Sequence, residues 1–294
     1  MTPVVLLAYN RPEALKKALE ALAANDLAAA TDLCIRTDGP KGPEDAEKVA
    51  AVREMAREAR GFRSVEVICS PENQGLAASV IAGVQHVLDA SDTVIVVEDD
   101  LVVGRGFLSY MNQALARYAS EPDVFSVCGY TNRITVPEGY PADAYFCPRS
   151  SSWGWATWRD RWQSVDWNPS EESLRKNAHA FNRWGGSDCF DMLNDWMQGR
   201  NQSWAIRFCY SQFLQGKTSL FPVRSLVDPS AGFEGDGTNC RRYSRFKFDF
   251  DNRTRETFVF PDRVRTVPSI VRSALQYHSI ARRLWSRIMY QIYG

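Results

Sequence analysis

The chain has 294 residues, 45% of them hydrophobic, which suffices to bury the core of one large domain or two small ones. Its 35 basic and 35 acidic residues give a net charge of zero, which argues against a general nucleic-acid-binding protein. The seven cysteines are scattered and include no C-x-x-C pair, so we expect reduced thiols in a cytoplasmic protein and no zinc motif. The N-terminus has no basic leader, and no stretch approaches the ~20 apolar residues that span a bilayer, so we expect neither a signal peptide nor a membrane-spanning helix.

Strand and helix patterns alternate through residues 1–130. The apolar run at 4–9 predicts a strand buried on both faces, and Asn10 and Pro12 mark the start of an amphipathic helix after it. Similar patterns predict strands at 32–37, 65–69, 93–97 and 124–128, and helices at 43–59, 76–88 and 107–118. This alternation predicts an α/β fold with a mostly parallel, right-handed, doubly wound sheet.

Polar residues follow three of the predicted strands. They are Tyr9, Asn10 and Arg11 after the first strand, Asp38 after the second, and Glu98, Asp99 and Asp100 after the fourth. Because ligands of such sheets bind outside the carboxyl ends of the strands, we expect the three groups to line one pocket.

The acidic triplet 98–100 is an unusual end for a buried strand. Carboxylates this close repel one another and raise their own pKa values unless a cation or hydrogen-bond donors offset them. The glycine-rich motifs of dinucleotide- and ATP-binding loops are absent, so we expect a divalent cation, Mn²⁺ or Mg²⁺, to neutralise phosphate here. The alternative is that these acids cap the helix that follows the strand.

Aromatic residues crowd the second half of the chain. Eight of the nine tryptophans lie between Trp153 and Trp204. Such rings can stack on the apolar face of a sugar, or they can simply pack in the core. The segment Trp153-Gly154-Trp155 is the more specific signal, because small residues there let the backbone approach a ligand or the sheet closely.

Two further segments carry patterns with more than one interpretation. Residues 228–240 contain three glycines and three acids, which is typical of a lid over a substrate and also of an exposed connection. Residues 263–294 contain six arginines and no acid, with apolar residues at helical spacing. Such a basic amphipathic helix suits peripheral contact with the inner membrane, but docking on the rest of the chain or forming a homodimer would use the same pattern.

Five motifs occur in order between residue 4 and about residue 240. They are Leu7-Ala8-Tyr9-Asn10-Arg11-Pro12, Thr37-Asp38-Gly39, Val96-Val97-Glu98-Asp99-Asp100-Leu101 before a helix with Phe107-Leu108-Ser109-Tyr110, Trp153-Gly154-Trp155, and Ser203-Trp204-Ala205-Ile206-Arg207. With these motifs the sequence resembles the GT-A glycosyltransferases. It is most similar to bacterial family-two-like sugar transferases and to the branch of the Golgi N-acetylglucosaminyltransferase that initiates hybrid N-glycans.

The resemblance implies a GT-A fold and a role for each motif. It divides the chain into a nucleotide-sugar-binding half at 1–130, an acceptor-binding half at 131–262 with a lid loop at 228–240, and a basic amphipathic C-terminal helix at 263–294. It implies that Asp38 recognises the uracil ring and that Asp100 holds the metal ion. The other implied contacts are Tyr9, Asn10, Arg11 and Asp99 with the nucleotide, Glu98, Trp153 and Gly154 with the donor sugar, and Trp204 with the acceptor.

The implied reaction is an inverting transfer of a sugar from a UDP-sugar, or another nucleotide-sugar, to a hydroxyl of a glycan or lipid-linked glycan. A base must take the proton of that hydroxyl. Relatives carry an aspartate where this chain has Gln202, which cannot act as a base. We expect Asp195 to serve instead, with Asp191 and Asp188 as weaker candidates; the alternatives are a shifted alignment and a loss of activity.

Two other points follow from the motifs. Gly237-Thr238-Asn239 stands where many bacterial relatives have Gly-Thr-His, and Asn239 is a poorer metal ligand than histidine, so a metal role for this loop is not favoured. A nucleotidyltransferase would share the sheet and the metal, but the chain lacks its glycine-rich signature after the first strand. A catalytically silent carbohydrate-binding protein would also explain Gln202 and the tryptophans.

Overall fold

The computed structural model describes residues 1–232 and 245–293. Its strands are β1 (Val4–Ala8), β2 (Asp32–Thr37), β3 (Ser64–Cys69), β4 (Thr93–Glu98), β5 (Val102–Val103), β6 (Val124–Cys128), β7 (Ala144–Cys147), β8 (Trp155–Trp158), β9 (Thr218–Pro222) and β10 (Val227–Asp228). Its helices are α1 (Pro12–Ala23), α2 (Ala46–Glu58), α3 (Leu76–Ala90), α4 (Phe107–Arg117), α5 (Arg159–Gln163), α6 (Glu171–Gly185), α7 (Cys189–Met197), α8 (Trp204–Leu214), α9 (Pro268–Leu275) and α10 (Ile280–Tyr293).

Eight strands form one sheet in the order β3-β2-β1-β4-β8-β6-β9-β7. The pairs β3–β2, β2–β1, β1–β4 and β6–β9 are parallel. Strand β8 lies antiparallel between β4 and β6, and β7 is antiparallel to β9. The predicted α/β fold with a mostly parallel sheet is therefore confirmed, and its antiparallel members come from the second half of the chain.

Helices cover both faces of the sheet. In β1 every residue is buried, and Val4 and Leu6 pack in the core layer that contains α1, α2 and α4. Val5 and Leu7 point the other way, into the layer that contains α3, α5 and α8. A strand that is apolar on both faces requires this two-layer packing, because successive side chains alternate between the faces.

The tryptophans are used largely for packing. Trp155 and Trp162 are among the largest fully buried side chains, and the ring centroids of Trp155 and Trp204 lie 4.9 Å apart in a stacked arrangement. Trp153 is only partly buried and packs edge-to-face on Tyr130, with ring centroids 4.7 Å apart. Core packing thus accounts for most of the aromatic density in this region.

The C-terminal segment contains two helices where a single one was predicted. Helix α9 packs on β7 through the buried side chains of Ile270 and Ala274. The chain then turns through a short 3-10 helix at Gln276–His278, and Ser279 is extended. The hydroxyl of Ser279 accepts a hydrogen bond from the backbone N–H of Arg282 at 3.4 Å, which makes Ser279 the cap of a new helix. No helix in the described part of the chain is long and apolar enough to cross a membrane.

Candidate active site

A first cavity, with a volume of about 470 Å³, lies at the carboxyl ends of β1, β2 and β4. The seven polar residues that follow the predicted strands all line it: Tyr9, Asn10, Arg11, Asp38, Glu98, Asp99 and Asp100. Parallel pairing of β1 with both β2 and β4 brings them together, because parallel strands end on the same edge of the sheet.

Arg11 offsets the charge of the acidic triplet. Its guanidinium donates to Oδ2 of Asp100 at 2.9 Å and forms a second hydrogen-bonded ion pair with Oδ1 of Asp99. The backbone N–H of Tyr9 donates to the other oxygen of Asp99 at 3.2 Å. One cation and one backbone donor therefore hold two of the three carboxylates.

Glu98 lacks such partners and carries the strongest perturbation. Burial, together with the charges of Asp100 and Asp99, raises the pKa of Glu98 to about 8. Burial also raises the pKa of Asp99 to about 6, although Arg11 opposes this shift. The triplet is thus a site of excess negative charge, as its sequence indicated.

Asp45 was not expected in the site. Its carboxylate accepts a hydrogen bond from the Tyr9 hydroxyl at 2.5 Å and from the Asn10 amide at 2.9 Å. These contacts fix both side chains, and burial with the Asp45 hydrogen bond raises the pKa of Tyr9 to about 12. No sequence pattern marked Asp45, which ends a short 3-10 helix before α2.

Asp38 is buried and its carboxylate organises the neighbouring loop. It accepts hydrogen bonds from the backbone N–H groups of Gly39, Gln74 and Gly75, each at 2.9 Å. Gly39 is required here because a Cβ on it would lie 2.3 Å from the backbone of Glu72. Asp38 therefore joins the loop after β2 to the loop that leads into α3.

Three more residues of the first cavity were not predicted. Lys41 and Lys48 add positive charge to its wall, which suits a phosphorylated ligand. Ser79 on α3 is buried, and its hydroxyl has no hydrogen-bond partner among the described residues. A buried polar group without a partner is uncommon, and one that lines a cavity is placed to bind a ligand.

A second cavity, of about 200 Å³, is lined by residues between Tyr130 and His278. Aromatic side chains dominate its wall, together with the three serines Ser150–Ser152, and its lining includes Trp153, Trp155, Trp204, Phe208 and Phe246. The indole N–H of Trp155 is buried and finds no hydrogen-bond partner within the part of the chain that the structure describes. Among the described residues no carboxylate lines this cavity.

The charges beside the second cavity are already paired. Arg149 lines it and donates to Asp188 at 2.7 Å, and Asp188 lies 3.3 Å from the imidazole of His278. Arg149 and His278 hold the pKa of Asp188 well below its usual range, despite burial. Burial and the charge of Arg149 lower the pKa of His278 to about 4. The pair is therefore ionised and the histidine neutral at pH 7.

The N-terminal turn of α8 lies between the two cavities. Trp204, Ala205 and Ile206 line the second cavity. Gln202 does not line the first cavity, but its amide oxygen lies beside Gly75 of that cavity's wall, 3.2 Å from where a Cβ on Gly75 would be. The residue that stands in place of the expected aspartate is thus an amide close to the first cavity.

The candidate bases lie outside both cavities. Asp195 is half-exposed on α7 and accepts two hydrogen bonds from Arg200, at 2.5 and 2.8 Å. Asp191 pairs with Arg283 of α10 at 3.0 Å, and Asp188 is held by Arg149. The assignment of Asp195 as the base stays a prediction.

Gly154 and the start of the loop at 228–240 lie next to the first cavity's strands. Gly154 has φ +66°, and a Cβ on it would lie 2.8 Å from Val227, so only glycine fits this close approach. Gly232 lies beside Asp100, since a Cβ on it would lie 2.7 Å from the Asp100 carboxylate. The rest of the predicted lid, including Gly237-Thr238-Asn239, lies outside the described residues.

The model of the family described as Glycosyl transferase family 2 matches residues 4–192. The chain belongs to this family. The match contains β1 to β4 and every residue that we assign to the first cavity. This glycosyltransferase therefore has the GT-A fold that its sequence implied. A comparison with curated proteins gave no match.

Three solved structures illustrate the range of sequence identity and coverage among the structures similar to this glycosyltransferase. A mannosyltransferase from Pyrobaculum calidifontis, in complex with GDP-Man and Mn²⁺, is 16% identical, with 54% of this chain and 46% of that chain covered and a TM-score of 0.40. S. aureus TarS 1–349 is 13% identical, with 76% and 58% covered and a TM-score of 0.42. Mannose-1-phosphate geranyltransferase from Thermus thermophilus is 16% identical, with 78% and 76% covered and a TM-score of 0.39. The chain thus spans about half the length of the first two.

Proposed function

We propose that this glycosyltransferase is a metal-dependent, inverting enzyme that transfers a sugar from a UDP-sugar, or another nucleotide-sugar, to a hydroxyl of a glycan or lipid-linked glycan. The observation that carries the proposal is the first cavity. Seven polar residues from three separate strand ends line it, and Arg11, Lys41 and Lys48 supply cations for a diphosphate. The sequence resemblance to the Golgi N-acetylglucosaminyltransferase branch supports the UDP-linked donor and the inverting outcome.

A divalent cation fits at Asp100. This carboxylate is partly exposed on the cavity wall, and carboxylate oxygen is a preferred ligand of Mn²⁺ and Mg²⁺. Among the described residues, the three carboxylates of the triplet do not place one oxygen each within 4.8 Å of both of the others, so they do not form a three-ligand site. Two phosphate oxygens and waters would therefore complete the coordination of an ion at Asp100. A bound cation would stabilise the negative charge that develops on the departing diphosphate.

The residues around Asp100 each contact a different part of the nucleotide-sugar in this proposal. We assign Asp38 to the base, Asp99 to the ribose and Glu98 to the donor sugar, since carboxylates accept hydrogen bonds from ring N–H groups and hydroxyls. Ser79 adds a hydroxyl to the same wall. We also assign Trp153 and Gly154 to the donor sugar; Trp153 lines the second cavity, so this assignment requires the sugar to extend toward it.

The acceptor belongs in the second cavity under this proposal. Its aromatic wall suits the apolar face of a sugar ring, and the Trp155 N–H supplies a buried donor for a hydroxyl. The assignment of residues 131–262 as the acceptor half rests on this arrangement. It also makes Asp195 a base that must exchange its pair with Arg200 for the acceptor hydroxyl.

A panel of nucleotide-sugars tests the reaction type. The protein is incubated with each donor and Mn²⁺, and slow hydrolysis is followed by release of free sugar. We expect one donor to release free sugar, and we expect NMR to show that the anomeric configuration of the released sugar is inverted relative to the donor. Pyrophosphate chemistry would indicate a nucleotidyltransferase, and donor binding without turnover would indicate a silent carbohydrate-binding protein; either result overturns the proposal.

We also propose that α10 binds the anionic surface of the cytoplasmic membrane, which places the enzyme beside lipid-linked acceptors. Ile280, Leu284, Trp285 and Ile288 are all at least half exposed, so they do not dock on the rest of the described chain. Exposed Arg282 and Arg287 flank them, and no acid occurs in 263–294. Apolar insertion combined with basic charge is the pattern of a helix that lies in a membrane interface.

Vesicle sedimentation tests this surface. We expect the protein to bind vesicles that contain anionic lipid, to bind neutral vesicles weakly, and to lose binding in Trp285→Ser and Ile288→Ser. Leu214→Ser, which changes another half-exposed leucine outside α10, is the matched control. A concentration-dependent dimer that Leu284→Glu dissociates, without vesicle binding, would assign the surface to a homodimer instead.

A further inference from the structure

Away from both cavities, Cys34, Glu66 and His86 converge beside α3. A sulfur, a carboxylate oxygen and an imidazole nitrogen from these residues lie within 4.8 Å of one another. Across residues 1–232 and 245–293, this is the one group of three such donor atoms that comes this close. Neither cavity contains any of the three residues in its lining.

The sheet and the helix create this convergence. Cys34 of β2 is the direct partner of Glu66 in the parallel pair β2–β3, so the two side chains share a face of the sheet. Helix α3 covers that face, and a Cβ on its Gly83 would lie 3.1 Å from Val5 of β1. His86 follows Gly83 by three residues and lies on the same side of the helix. Ligands from three elements leave no spacing motif, which is why the sequence showed no zinc signature.

Contacts among the three residues are direct. Nε2 of His86 lies 3.0 Å from a carboxylate oxygen of Glu66, and the Cys34 sulfur lies within 4.8 Å of both residues' donor atoms. Cys34 is buried, whereas the side chains of Glu66 and His86 are 58% and 45% exposed. The group is therefore closed on the sheet side and open to water on the other.

Arg36 is the nearest cation on this face of β2, but it is directed elsewhere. Its guanidinium donates to Gln74 at 3.0 Å and to Ser70 at 3.4 Å, toward the loop that leads into α3. Its hydrogen bonds are thus made away from the group, although its charge still acts to lower the pKa of the Cys34 thiol against the effect of burial.

We propose that Cys34, Glu66 and His86 bind a zinc ion, with water as the fourth ligand. Thiolate, imidazole and carboxylate are the ligand types that Zn²⁺ takes in tetrahedral sites, whereas Mn²⁺ and Mg²⁺ prefer oxygen alone. Binding releases the thiol proton of Cys34 to solvent. The thiolate and the carboxylate then balance the two charges of the ion, and the imidazole binds as the neutral form.

A zinc ion at this site would cross-link the edge of the sheet. Strand β3 is an edge strand that pairs only with β2, and the ion would join it to β2 and α3 at once. These are the elements that carry Asp38 and Ser79 into the first cavity. Zinc would therefore stabilise the donor wall without contacting the donor.

Cobalt spectroscopy on the full chain tests the ligand set. Titration with Co²⁺ alone is expected to give one equivalent with tetrahedral visible bands and a thiolate-to-cobalt charge-transfer band. Cys34→Ala and His86→Gln should lose these bands. Cys69→Ala is the matched control, because Cys69 is on β3 but points to the opposite face. Cobalt at Asp100 would have oxygen ligands and give no sulfur band.

Thermal unfolding with Zn²⁺ gives a second readout. We expect zinc in ~100-fold excess over its dissociation constant to raise the unfolding midpoint by about 5 °C in the wild type and not in His86→Gln. His86 is exposed, so this variant folds even if Cys34→Ala does not. Absence of the sulfur band, its persistence in Cys34→Ala, or an equal zinc shift in His86→Gln would overturn the proposal.

Discussion

The two cavities differ in how they handle charge. The first holds five carboxylates, three cationic side chains and an unpaired hydroxyl on its wall. In the second the only cation among the described lining residues, Arg149, is paired with a buried aspartate, and the rest of the wall combines aromatic rings with small polar and aliphatic side chains. A site with unbalanced charge is built for ions and phosphates, and a site with balanced charge is built for neutral surfaces.

The largest expected effect is on the charge of the first cavity. Asp100→Asn should lower the turnover number by at least about 100-fold, because it removes the proposed metal ligand where charge develops on the leaving group. Steady-state kinetics at saturating donor and Mn²⁺ measures this loss. Asp92→Asn is the control, since Asp92 is an exposed acid at the other end of β4. Equal turnover in the two variants would remove Asp100 from the mechanism.

Asp195→Asn tests whether Asp195 of α7 is the base that takes the proton of an acceptor hydroxyl in the second cavity. We expect it to abolish transfer while UDP binding, measured by calorimetry, stays unchanged, because Asp195 lies outside the first cavity. Asp191→Asn, in the same helix, should retain most of the activity. Unchanged turnover in Asp195→Asn would exclude it as the base.

Stability distinguishes packing from binding in the second cavity. Trp204→Ala should lower the free energy of unfolding by ~3–5 kcal/mol, because the buried ring stacks on Trp155. Denaturant unfolding checks the value, with the exposed Trp285→Ala as control. A loss below about 1 kcal/mol would mean that the ring is held for the acceptor rather than for the core.

The strand ends were predictable because of a general property of parallel sheets. Strands β1 and β4 contain continuous apolar runs, and β2 has the apolar run Leu33–Ile35 before a turn at Asp38-Gly39-Pro40. Their ends were therefore placed within one residue, and the rule for parallel sheets then brought Arg11, Asp38 and Asp100 together. Asp45 and Ser79 were missed because a 3-10 turn and the interior of a helix position them. Nothing in their neighbouring residues marks them as part of a site.

The second cavity was beyond prediction for a different reason. Strand β8 pairs antiparallel with β4 and β6 across long stretches of sequence, and α9 supplies Ala274 to the wall from more than a hundred residues away. Local patterns do not encode such pairings. The aromatic residues were therefore equally compatible with a sugar-binding surface and with a core. Trp155 and Trp204 each contribute both to the core and to the wall of the second cavity.

The buried charges beside the second cavity should make stability fall in acid. Burial and the charge of Arg149 lower the pKa of His278 to about 4, and Asp188 and Arg245 also face this histidine. Between pH 6.5 and pH 4, His278 therefore binds a proton in the unfolded chain but stays neutral in the native protein. The free energy of unfolding should fall by up to about 1.4 kcal/mol per pH unit from pH 6.5 to pH 4 on this account. Asp188, whose pKa is depressed, loses its contribution only below that range.

Urea unfolding at several pH values measures this slope. His278→Gln should flatten it, whereas a change at the exposed His86 should not. An unchanged slope in His278→Gln would show that other groups carry the acid sensitivity.

The smallest effects should come from the two unpaired donors. Ser79→Ala should raise the donor KM about fivefold and Trp155→Phe should raise the acceptor KM by a similar factor, as each removes one hydrogen bond of about 1 kcal/mol to its ligand. Neither change should lower stability much through hydrogen bonding, because neither group has a partner within residues 1–232 and 245–293. Swapped effects, with Ser79→Ala acting on the acceptor, would contradict the division between the cavities.

Strand β8 makes the two halves of this enzyme inseparable as polypeptides. A fragment that stops at residue 130 would leave β4 without its antiparallel neighbour and β6 without either of its partners, since β8 and β9 both come later in the chain. Such open edges recruit other strands, so the fragment would be prone to aggregation. The first 130 residues therefore complete their sheet only after β8 and β9 have been synthesised, so the two halves fold as one unit.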